Sequence, residues 1–189
     1  MPACLIRTSS VQAEIDFRKG ESRTPEFLAI NANGKVPTLV LEDGRAITES
    51  NAALFYLAEG APCLSDDRYD RAQALQWMFF EQYSHEPYIA VARLWLHLKP
   101  GGREEKADMI AGWHERGYQA FDVMEQQLGS NDYFAGGAYL IADIALYANT
   151  QMASDADFDL ANYPKVRAWL DRVAGQPGYV GLDWVSPKA

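Results

Sequence analysis

Apolar and polar residues alternate along the first third of the chain and recur at helical spacing beyond it. Val11, Ala13, Ile15 and Phe17 fall on one face of an alternating run, the signature of a half-buried strand. Thr24-Pro25-Glu26 sets an N-cap before a proline at the first helical position and predicts a short helix through Ile30. Asn33-Gly34 marks a turn and Val36–Leu41 a strand. Asp43-Gly44 predicts a two-residue hairpin turn, with the chain returning through Arg45–Thr48. A helix from about Glu49 to Glu59 then stops at Gly60 and Pro62. The predicted order is strand, helix, strand, strand, helix.

From residue 66 onward the strand signals disappear. Arg68–Leu98 reads as one long helix with Leu75, Met78, Phe79 and Gln82 at helical spacing, bent at Pro87, which removes one backbone donor. Lys99-Pro100-Gly101-Gly102 breaks it. A second helix is predicted over Glu104–Leu128, followed by a loop over Gly129–Gly137. In a third, Ile141, Ile144, Ala145, Ala148 and Met152 recur on one face. Tyr163-Pro164 starts a fourth that ends near Gly175. The boundary lies between Gly60 and Asp67, giving a first domain over 1–60, a helical domain over 67–178 and a tail over 179–189. The fold class is α+β, a βαββα unit joined to an all-α bundle.

Composition narrows the function classes. The 189 residues are 48% hydrophobic and 23% charged, as in an ordinary globular chain, which excludes disorder, collagen and coiled coil. A net charge of −9 opposes sequence-independent binding to nucleic acid or to an anionic membrane. The longest apolar run, through Leu98, is cut by Arg93 and falls short of the ~20 residues of a membrane helix. Residues 1–10 lack the apolar core of a secretion signal, so a cytoplasmic location is expected. Cys4 and Cys63 make no disulfide framework, and neither CxxC nor HExxH spacing occurs, so no metal site is expected.

With Asn33-Gly34-Lys35-Val36-Pro37-Thr38-Leu39 and then Glu49-Ser50-Asn51-Ala52, this architecture resembles the cytosolic glutathione transferase family over residues 11 to about 178. The resemblance implies a thioredoxin-like first domain that binds glutathione as co-substrate. A proline near the start of a strand cannot donate to a ladder. A cis Val36–Pro37 bond would turn the Val36 backbone outward, offering its N–H and C=O to an extended peptide. A trans proline at the strand's first position is the plainer alternative. Glu49 and Ser50 begin a helix, whose first N–H groups and positive dipole end suit a carboxylate.

By resemblance, Ser50 would hold the γ-glutamyl α-carboxylate and Glu49 would face the α-ammonium. Lys35 would pair with the glycyl carboxylate, and Val36 would bind the cysteinyl backbone as an added strand does. A favourable first-turn acid at Glu49 and a helix cap at Ser50 are the corresponding structural alternatives.

Asp143 in Leu140-Ile141-Ala142-Asp143 resembles the family's helix-start motif, in which a Ser or Thr stands where this chain has Leu140. Leucine cannot cap, so about 1 kcal/mol of helix stability is expected to be lost there. Around Pro87 lie His85, Glu86, Tyr88, Arg93 and Trp95. The resemblance implies a second-substrate pocket between this helix and the first half, with His85, Tyr88 and Arg93 as candidates; a polar interhelix face is the alternative. Trp77, Phe79, Phe80, Tyr118 and Phe121 are expected in the core, and Cys63 as an incidental thiol.

Family members begin with a strand, a loop carrying the catalytic Ser, Cys or Tyr, and a helix. A βαβ unit takes roughly 30 residues, and ten precede Val11. Cys4, Ser9 and Ser10 therefore map onto no thiol-activating position, and the catalytic residue is unassigned. The expectation is an incomplete first domain, to be completed by an earlier start, a replacement strand from residues 1–10, or a partner chain. The resemblance implies a transferase that adds the glutathione thiolate to small electrophiles in detoxification, or uses it for reduction, and that forms a homodimer. The alternative is a non-catalytic glutathione-transferase-like interaction scaffold.

Overall fold

The structure is a computed structural model that describes residues 12–182. Cys4, Ser9, Ser10 and Val11 lie outside the described residues. The chain divides into two compact units, the first running to Ala61 and the second spanning Pro62–Tyr179.

In the first unit, residues 12–16 are not strand, and the chain then makes two 3-10 turns, Phe17–Lys19 and Glu21–Arg23. The strand expected over Val11–Phe17 is therefore absent over its described part. Alternation alone does not make a strand, because pairing requires a neighbouring ladder. The Asp16 carboxylate instead accepts the Arg18 N–H at 3.0 Å, while the Asp16 N–H donates to Glu21, so local polar bonds capture the backbone. Phe17 consequently stays 57% exposed.

Helix α1 (Pro25–Ile30) begins where the sequence places it. The Thr24 hydroxyl accepts the Phe27 N–H, and Pro25 fills the position whose donor is not needed. Strands β1 (Thr38–Val40) and β2 (Ala46–Thr48) pair antiparallel, with Thr38 opposite Thr48, Leu39 opposite Ile47 and Val40 opposite Ala46. The connecting turn departs from expectation. Leu41 accepts the Gly44 N–H and donates to the Arg45 carbonyl, with Gly44 at φ 84° and Asp43 at negative φ. A two-residue Asp-Gly turn needs both residues left-handed; this is a three-residue loop, Glu42-Asp43-Gly44, with only its glycine so placed. Helix α2 (Ser50–Leu57) closes the unit.

The second unit is all-helical among its described residues. Helix α3 (Arg68–Phe80) is capped by Asp67, whose carboxylate accepts the Tyr69 and Asp70 N–H groups. It runs through a π turn, Glu81–His85, into α4 (Glu86–Arg93) and a second π turn, Leu94–Leu98. The extra residue per turn absorbs the bond that Pro87 cannot donate. The helix expected over Glu104–Leu128 is two, α5 (Gly102–Glu105) and α6 (Ile110–Leu128). The Lys99 and Lys106 ammonium groups both lie over the Trp95 ring, at 3.8 and 4.7 Å from its centre, and hold the chain back at that break. Helices α7 (Ile141–Thr150) and α8 (Pro164–Ala174) follow.

The core gathers Trp77, Met78, Ile89, Phe121, Phe134, Ile141, Leu146 and Trp169. Phe79 is the exception to the expected core set, at 70% exposure. Helix α3 buries Ala74, Trp77 and Met78, so Phe79 points the opposite way, on the face that carries Tyr69 and Tyr83. Cys63, expected as an incidental thiol, is wholly buried, and its carbonyl accepts the Ile141 N–H at 3.0 Å.

Candidate functional site

The Val36–Pro37 peptide bond is cis and immediately precedes β1. Glu49 and Ser50 immediately follow β2. Because the ladder ends with Thr38 opposite Thr48, Pro37 and Glu49 leave it at the same end of the hairpin, with Val36 and Ser50 one residue beyond them. Lys35, Val36, Glu49 and Ser50 are all exposed, Val36 at 49%. The ladder thus brings two sequence motifs to a common open edge.

Local chemistry holds each side. Glu49 takes a left-handed conformation, φ 72°, and its side chain makes no cap, so the carboxylate is left to project outward. Ser50 opens α2, where the first N–H groups have no acceptor within the helix. On the other side Gly34 sits at φ 63°, and a Cβ there would come 2.6 Å from Arg23 Nη1 and 2.9 Å from the Ser22 carbonyl. Only glycine fits. Arg23 donates to the Asn33 carbonyl at 3.1 Å, and buried Asn31 donates to the Lys35 carbonyl at 2.8 Å. The sequence reading passed over both residues. The available signal was an asparagine directly after a helix and two residues before Asn-Gly, where its side chain can bond the backbone two residues on.

Asp143, the helix-start residue, is buried on α7. Its Oδ2 accepts the Leu140 N–H at 3.0 Å, and its Oδ1 accepts the Phe134 N–H at 3.2 Å and the Trp169 indole N–H at 2.9 Å. The Leu140 side chain offers no acceptor, and its backbone carbonyl accepts the Asp143 N–H at 2.9 Å. Burial pushes the Asp143 carboxyl up to about 7, against the three donors that pull it down.

His85 does not line an open pocket. It is fully buried, with its ring edge-on to Phe121. The Thr150 hydroxyl donates to the Leu146 carbonyl at 2.7 Å, so at 2.9 Å the His85 Nε2 must be the donor to Thr150. His85 Nδ1 is left without a partner, and burial drives the imidazole down to about 3. Tyr88 is half-buried on α4, and the Arg93 guanidinium is held by Asp155 at 2.9 Å. A groove of about 460 Å³ in this unit is lined instead by Trp77, Phe80, Val123 and Gln126.

Among the described residues no three His, Cys, Asp or Glu side chains cluster as metal ligands would. None of their helices is long and apolar enough to cross a membrane.

A cis-proline loop and a helix start meeting at one end of a hairpin, joined to an all-helical unit, define a glutathione-binding class of protein. Comparison with known proteins agrees: residues 8–59 match the glutathione S-transferase N-terminal domain and residues 76–177 its C-terminal domain. The chain belongs to the glutathione S-transferase family. Its general function is glutathione transfer or another glutathione-dependent step.

Among solved structures, a possible glutathione S-transferase from Rhodopseudomonas palustris is 52% identical with a TM-score of 0.91, covering 94% of this chain and 79% of that one. Ure2p in complex with glutathione is 26% identical with a TM-score of 0.77, over 86% and 81%. Among curated relatives, the disulfide-bond oxidoreductase YfcG of Escherichia coli K12 is 30% identical over 180 residues, 88% of this chain and 82% of that protein.

Proposed function

We propose that the chain binds glutathione along Val36 and delivers its thiolate to a small electrophile, or uses it as a reductant. The observation that supports this reading is the hairpin register, whose last pair, Thr38 with Thr48, leaves the Val36–Pro37 turn and the start of α2 at one end of the hairpin, with Val36 and Ser50 exposed. The cysteinyl backbone pairs with the Val36 N–H and C=O as an added strand. Ser50 and the first amides of α2 hold the γ-glutamyl carboxylate, Glu49 faces its α-ammonium, and Lys35 meets the glycyl carboxylate. Tyr88 and Arg93 are the proposed contacts for the electrophile; the residue that activates the thiol is unassigned. Reduction has support from the oxidoreductase name of the E. coli relative.

The chain acts in the cytoplasm as a homodimer. The exposed face of Tyr69, Phe79 and Tyr83 in the second unit, 84% exposed at Tyr83, supports a second copy as its cover. Light scattering that gives one chain's mass refutes the dimer. Titration with reduced glutathione tests the binding reading, with Ser50→Ala expected to weaken affinity about tenfold or more through loss of a charge-assisted hydrogen bond. Affinity indifferent to Ser50→Ala refutes it. Turnover of a chlorinated nitrobenzene with glutathione separates an enzyme from a bound but silent module.

A further inference from the structure

We infer that Asn31 is a positioning residue for glutathione, its buried carboxamide setting the direction in which Val36 presents its backbone. This rests on the glutathione reading above. Asn31 ends α1, is 4% exposed, and donates its own N–H to the Phe27 carbonyl at 2.9 Å. Its carbonyl accepts the Gly34 N–H at 2.8 Å, so the backbone on both sides of the side chain is fixed.

The carboxamide is fully engaged. Oδ1 accepts the Asn33 N–H at 3.0 Å, and Nδ2 donates to the Lys35 carbonyl at 2.8 Å and to Thr38 Oγ1 at 3.0 Å. A backbone N–H can only donate and a carbonyl can only accept, so the amide has one possible orientation. Thr38 Oγ1 in turn donates to the same Lys35 carbonyl at 3.3 Å. The two Nδ2 bonds therefore bracket Val36-Pro37, one before it and one after it.

Peptide planarity converts this bracket into ligand geometry. In the trans Lys35–Val36 peptide the carbonyl and the following N–H lie in one plane and point in opposite directions. Holding the Lys35 carbonyl inward on Asn31 aims the Val36 N–H outward, where the cysteinyl carbonyl of glutathione meets it. One side chain thus bonds both Lys35 and Thr38. Asn31 touches no ligand itself; it acts through Val36.

The test uses the full chain, ¹⁵N-labelled, as wild type and Asn31→Asp. Aspartate keeps the acceptor for Asn33, removes both donors and sets an oxygen against the Lys35 carbonyl. Without ligand, the Val36 amide signal is expected to shift in the variant while the tryptophan indole signals stay in place. Reduced glutathione should then bind the variant about tenfold more weakly, the scale of one hydrogen bond. A Val36 amide that does not move, or glutathione affinity equal to wild type, overturns the inference. If Asn31→Asp does not fold, Thr38→Val loosens the same bracket and should weaken binding about threefold; unchanged affinity there overturns it equally. Wild-type chain whose Val36 and Ser50 amides ignore glutathione overturns the glutathione reading, and this inference with it. Binding by wild type and variant alike overturns the role of Asn31 alone.

Discussion

Replacing Asp143 by asparagine separates two opposing forces on one buried carboxyl. Burial raises its pKa from 3.8 to about 7, although three N–H donors favour the ionised form. The sign follows directly. Between about pH 4 and 7 the folded chain keeps a proton that the unfolded chain has released, so Asp143 adds stability as pH falls. At about 1.4 kcal/mol per pH unit, the whole window is worth roughly 4 kcal/mol. Roughly 2–3 kcal/mol of it appears between pH 7.5 and pH 5. The carboxamide of the variant cannot titrate, so the stability gap between wild type and Asp143→Asn should widen by that amount on acidification. Other titrating groups are common to both chains and drop out of the difference. Urea unfolding followed by tryptophan fluorescence measures it, because Trp77, Trp95, Trp113 and Trp169, four of the five tryptophans, lie in the helical part of the chain. A gap that narrows at pH 5 means that the three donors outweigh burial and that the reasoning is wrong.

His85 predicts the opposite slope. Its folded pKa of about 3 lies below the free value of 6.5, so the unfolded chain takes up the proton first and stability falls with acid through that window. Wild type should lose roughly 2 kcal/mol from this group between pH 7 and pH 5; His85→Gln, unfolded in urea at both values, should not. At Gly117 an added Cβ would overlap the buried Phe158 ring. Gly117→Ala is expected to cost about 1–3 kcal/mol by overpacking, read as a lower urea midpoint at unchanged slope.

Local chemistry was legible in the sequence, whereas choices between faces and neighbours were not. Thr24-Pro25 announced α1 because capping is decided within one turn. The alternation of Ala13, Ile15 and Phe17 was read as a strand, but a strand exists through a partner ladder, and Asp16 offered a closer set of bonds. Helix α3 and the π turn after it carry two apolar faces, Trp77 with Met78 and Phe79 with Tyr83, and periodicity cannot say which one faces the core. His85 looked like a pocket residue because a titratable group beside a proline suggests a cleft. In the fold the π turn rotates it inward onto Thr150. Asn31 was passed over because a polar residue after a helix reads as solvent-facing; only its burial beneath the Lys35–Thr38 turn reveals its bonds.

The hairpin loop explains why motifs a dozen residues apart reach the same end of the hairpin. Side chains alternate faces with a period of two, so a one-residue slip in pairing turns every residue of a strand to the other side. A two-residue turn at Asp43-Gly44 would pair Glu42 with Arg45 and shift β2 by one position against β1. The three-residue loop pairs Leu41 with Arg45 instead, and that register runs unbroken to Thr38 opposite Thr48. In this register the cis Val36–Pro37 bond and the start of α2 follow the same last pair of the ladder. The left-handed Gly44, at the far end of the hairpin, therefore selects which side chains flank the edge proposed to take glutathione. Asn31 then ties the residues on either side of that bond together, donating to the Lys35 carbonyl and to Thr38 Oγ1.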